Sequence, residues 1–127
     1  MSDRDRWEKL RADYLATDRA RLDLDIQLHV KYGPGFRHEW ASKTEQKKLE
    51  QLRDRLDRIG NKMSAILDKV SPRNWGYGVP AHWVYSSLSW EDAIRPLGEP
   101  LSVTPPLAYG STQPMRNNPQ PWAKVFG

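Results

Sequence analysis

Cysteine is absent from this chain of 127 residues. Its absence removes disulfides, thiolate nucleophiles and cysteine-held metals, and it fits a reducing compartment. Long apolar runs are missing too. None approaches the roughly 20 residues that cross a bilayer, and the opening MSDRDRWEKL lacks the apolar segment of a secretory leader. Cytoplasmic residence is the default expectation. Catalytic signatures are equally scarce. His29, His38 and His82 are scattered, and His38-Glu39 lacks the second histidine, four residues on, of a zinc-binding HExxH helix. No G-x-S-x-G elbow, phosphate-binding loop or dinucleotide glycine fingerprint occurs. Asp23 and Asp25, two apart, would point to different sides of a helix. We therefore expect no enzymatic activity, no cofactor, no metal and no small-molecule substrate.

Charge is plentiful but unevenly spread. Residues 1–71 hold 16 basic and 13 acidic side chains, and residues 72–127 only 4 and 3. Prolines and aromatics do the reverse: nine of ten prolines, four of six tryptophans and three of five tyrosines fall in 72–127. The chain thus divides into a charged, helix-forming part and an aromatic, proline-rich part.

In the first part, Leu49, Leu52, Leu56, Ile59, Met63, Ile66 and Val70 recur at alternating spacings of three and four, a heptad seam for packing against another helix. Ser42-Lys43-Thr44-Glu45 opens this helix as a capping box, and Ser71-Pro72 closes it. Arg53/Asp57 and Asp54/Arg58 are candidate i,i+4 pairs off the seam. Gly60, beside the seam, costs about 1 kcal/mol relative to alanine; a close neighbour or a bend would explain it, and a tolerated surface glycine would do so equally well. A preceding helix should run from about residue 5 to 31 and stop at Gly33-Pro34-Gly35. It has two apolar stripes: Trp7, Leu10, Tyr14, Leu24 and Leu28 form one, and Leu15, Leu22, Ile26 and Val30 another. A helix apolar on two sides needs two partners. Leu22 to Tyr32 also alternate strictly with polar residues, a strand signal. Leu, Asp and Gln are poor strand formers, however, and no similar run lies nearby to pair with it.

The expected fold is mainly α: an antiparallel, coiled-coil-like hairpin over 1–71, with a loop over 32–42 and a second helix over about 43–70. An extended tail follows over 72–127, with short helical or strand pieces. Ser89 can cap a turn or two that Pro96 ends, His82 to Leu88 reads as a short strand, and Gly98 to Gly110 as extended or polyproline-like chain.

The functional expectation is protein–protein interaction or assembly, as an accessory subunit, an oligomer or a small inhibitor. Phage and mobile-element accessory proteins share such a form, an analogy of shape alone. The seam would serve as one interface. Trp75, Tyr77, Trp83, Tyr85, Trp90, Tyr109, Trp122, Val125 and Phe126 are the candidate partner-binding anchors, because large amphipathic rings dominate interface energetics. The alternative is nucleic-acid binding through Lys47, Lys48 and Arg55 on the second helix. Acidic neighbours Glu45, Glu50, Asp54 and Asp57 dilute the field, and a charged outer helix face is usually just solvated, so protein is the expected partner and nucleic acid the second choice.

Overall fold

The computed structural model describes residues 1–73 and 79–106. Helix α1 spans Asp3–Tyr32, α2 Lys43–Val70, α3 Ala81–Ser87 and α4 Trp90–Ala93, with a single 3-10 turn, His38–Trp40, in the hairpin loop. Each long helix has the ends its sequence specifies. Ser2 Oγ accepts the Asp5 amide at 3.1 Å to start α1. Gly33, in the left-handed region at φ 96, stops it, with its N–H donating to His29 O at 2.8 Å. At the start of α2 the capping box closes in both directions: the Glu45 amide donates to Ser42 Oγ at 3.1 Å and the Ser42 amide to Glu45 Oε1 at 2.8 Å. Residues 22–32, ambiguous by alternation, are helical.

The two helices pack antiparallel, and apolar side chains fill the space between them in two groups. At the loop end Leu24, Leu28 and Leu49 are buried beneath Tyr32, Phe36 and Leu52. At the open end Trp7 and Tyr14 meet Ile59, Met63, Ile66 and Leu67, and the same core takes in Val79, Val84, Leu88 and Ala93. Residues 79–101 therefore do not trail away from the hairpin but complete it. The segment His82 to Leu88 is not a strand. It forms most of α3, because Val84 and Leu88, four apart, reach one pocket as a helical turn. Short α4 is capped by Ser89 as the sequence suggests, and the chain leaves it before Pro96.

Gly60 does have a close neighbour. A methyl group there would lie 2.8 Å from Tyr85 Cε2, in a ring already held edge-on by Tyr14 at 5.5 Å. Gly60→Ala should lower stability by about 1 kcal/mol in thermal melts, the overlap outweighing the gain in helix propensity. With Tyr85→Ala in the background, the same change should raise the melting temperature.

Candidate functional site

At 100° per residue, the two apolar stripes of α1 fall on different sides of the helix, and the structure uses only one of them. Trp7, Tyr14, Leu24 and Leu28 are buried. By contrast Leu15, Leu22, Ile26 and Val30 are 40, 42, 60 and 81% exposed. These four lie within an arc of about 80°, crossed by the exposed Arg19–Asp23 ion pair at 3.4 Å. Four large aliphatic groups thus share one exposed strip of α1.

The residues expected to bind partners are placed differently. Of the seam, Leu49, Ile59, Met63 and Ile66 are buried and Leu52, Leu56 and Val70 partly buried. Trp83, Tyr85 and Trp90 are partly buried against the same core. Trp75, Tyr77, Tyr109, Trp122, Val125 and Phe126 lie outside the described residues. Lys47, Lys48 and Arg55 are exposed on α2. The pairs Arg53/Asp57 and Asp54/Arg58 do not close as ion pairs; α2 instead makes two ion pairs with α1, Lys31–Glu45 at 2.9 Å and Lys69–Asp3 at 3.1 Å. Hydrogen bonds from Tyr32 Oη, at 2.5 Å, from the Ser42 amide and from Lys31 hold Glu45 down at about 2.

Two polar clusters carry no signal in the linear sequence. In the first, Tyr14 Oη lies 3.0 Å from His82 Nδ1, and His82 Nε2 lies 3.7 Å from the largely buried Asp18, which also accepts from Arg21 at 3.0 Å. Burial, then the Asp18 and Tyr85 side chains, pushes the Tyr14 phenol above its ordinary value, so near neutral pH it remains a protonated hydrogen-bond donor. The i,i+4 spacing places Tyr14 and Asp18 on one side of α1, but nothing local marks His82, on α3, as the residue that meets both. A cleft of about 440 Å³ opens beside this cluster, lined by Tyr14, Leu56, Asp57, Gly60, Asn61 and Tyr85.

The second cluster ties the C-terminal segment down. Asp92, 1% exposed, accepts from the Ser102 amide at 2.9 Å, Ser102 Oγ at 2.6 Å and Ser89 Oγ at 3.2 Å. Arg73, just past α2, donates to the carbonyls of Arg95 at 3.2 Å, Pro96 at 2.7 Å and Glu99. Its guanidinium thus bridges the end of the hairpin to the turn after α4. Among the described residues no group of three His, Asp or Glu side chains could hold a metal ion, and no helix is long and apolar enough to cross a membrane. No family model, curated protein or solved structure matches this chain.

Proposed function

We propose that this chain is an assembly protein that works by pairing with another protein chain through the outer face of α1, and that a second copy is its partner. The observation that carries this reading is the exposed strip of Leu15, Leu22, Ile26 and Val30, left over after α2 and residues 79–101 have occupied the opposite side of the helix. Charge along the strip favours self-pairing. In an antiparallel pair centred near residue 21, Arg19 of one copy faces Asp23 of the other and Leu15 faces the turn holding Ile26, so the ion pair that crosses the strip within one copy can be exchanged between two. Behind the strip, Leu24 and Leu28 are packed on Leu49 of the seam, a rigid backing that lowers the ordering cost of association.

Sedimentation of the full chain tests this directly. The wild type should sediment as a dimer at roughly 100 μM. Leu22→Glu with Ile26→Glu should give single chains with an unchanged helical circular dichroism spectrum and an unchanged melt after allowing for dissociation. A wild type that is monomeric at that concentration rejects self-pairing.

A further inference from the structure

Helical geometry regroups the charges of α2. In sequence order acids and bases alternate, but on the helix Lys47, Lys48, Arg55, Arg58, Lys62 and Lys69 share an arc of about 100° that contains no carboxylate. Glu50, Asp54, Asp57 and Asp68 fall on the neighbouring arc. All six cations are exposed. The basic side is also the open side of the hairpin, away from α3 and α4. There α1 adds the exposed Arg6 and Lys9 across a groove of about 620 Å³ floored by Leu10, Ala65 and Ile66. Only Asp3 and Asp13 oppose these charges within the groove, and Asp3 is already paired with Lys69 at 3.1 Å.

We infer that this face binds the phosphate backbone of a nucleic-acid duplex. From Lys47 to Lys69 the row runs 22 residues along one helix, a rise of about 33 Å, close to the ~34 Å repeat of B-form DNA. A fixed, linear row of cations suits a stiff polyanion, and neutralising its phosphates releases counterions. Single-strand binding relies on stacked aromatics, and the basic arc of α2 carries none. Anionic membranes are bound by faces where several apolar groups protrude among the cations; here Ile66 is buried and Leu10 partly buried in the groove floor, and Met1, at the groove's end, is its one large apolar side chain that protrudes. The exposed aliphatic strip lies on another side of α1, so this inference stands apart from the assembly reading.

The experiment is fluorescence anisotropy of a labelled 20-base-pair DNA duplex titrated with the full-length protein across a salt series. The wild type should bind at about 50 mM salt with micromolar affinity and weaken steeply as salt rises. The triple variant Arg55→Gln, Arg58→Gln, Lys62→Gln should bind at least about tenfold more weakly at low salt. Its log–log salt slope should be shallower by about 2–3, since each phosphate left without its cation removes about 0.9 from the slope. A control with the same charge change off this face, Arg37→Gln, Lys43→Gln, Arg53→Gln, should stay within about twofold of wild type. Melts of both variants verify that they fold. The inference is overturned if the wild type does not bind the duplex at low salt, if both triple variants lose affinity equally, or if phosphatidylserine vesicles are bound while the duplex is not.

Discussion

Replacing Trp7 with alanine should lower the free energy of unfolding by about 3–5 kcal/mol, a large share of the roughly 5–15 kcal/mol available to a domain. Trp7 is 0% exposed and packs where α1, α2 and the C-terminal segment converge. Its indole N–H also donates to Leu88 O at 3.0 Å, tying α1 to the end of α3. Alanine would leave a cavity and remove the donor to a buried carbonyl. Trp7→Phe separates the two effects, since it keeps most of the apolar volume and should cost about 1–3 kcal/mol for the unmet carbonyl. Urea unfolding of the three proteins is the measurement. A Trp7→Ala midpoint equal to wild type would mean that the tryptophan is not in this core.

The second large effect centres on Asp92. Asp92→Ala would leave the Ser102 amide, Ser102 Oγ and Ser89 Oγ without their shared acceptor and take from Arg95 the nearer of its two carboxylates, at 3.4 Å, leaving Glu99 at 4.0 Å, at a cost of about 3–5 kcal/mol. Acid should reproduce part of this loss. Burial alone would raise the carboxyl's pKa, but the donations from Ser102 and Ser89 and the Arg95 charge outweigh it, and the net displacement is downward. A carboxyl held below its unfolded value contributes stability that is complete above the ordinary aspartate range, near pH 3.9, and is lost as pH falls through the folded value. Glu45 has the same sign, with its contribution disappearing between its ordinary 4.5 and about 2. Asp92→Asn removes one of these two titrations. Melting temperature should therefore fall less steeply below about pH 4 in the variant than in wild type. Parallel acid profiles for the two proteins would show that Asp92 carries no pH dependence.

The hairpin was legible because each of its signals is local and redundant. Ser42 and Glu45 sit at the spacing of a capping box, Gly33 follows the last turn of α1, and the seam from Leu49 to Val70 repeats too often to be accidental. Residues 81–88 misled for the opposite reason. One or two turns contain too few residues to show a period, and His-Trp-Val-Tyr resembles a strand in composition. What decides for helix is the docking of Val84 and Leu88 onto a core whose other walls lie in distant parts of the chain. The Asp92 and Arg73 clusters were illegible because a charged residue looks solvated until its buried donors and acceptors, up to 26 residues away, are known. For the candidate surfaces, the second stripe of α1 was readable as a face needing a partner, but not that it would be the one left open. The basic arc of α2 was hidden by its interleaved acids, which linear order mixes and helical rotation separates.

The hydrogen bond between Trp7 and Leu88 joins residues 81 apart, so during synthesis it can close only after α3 has been made. The hairpin is built from local contacts and can form as soon as α2 has left the ribosome, whereas the wall supplied by Val79, Val84, Leu88 and Ala93 emerges only later. Until it does, the apolar side of Trp7, Tyr14 and Met63 is uncovered on the nascent chain. A chain stopped shortly after α2 would keep that sticky side for good, so translation arrest in this region should yield helical but aggregation-prone fragments that chaperones retain, while synthesis through Leu101 should release them.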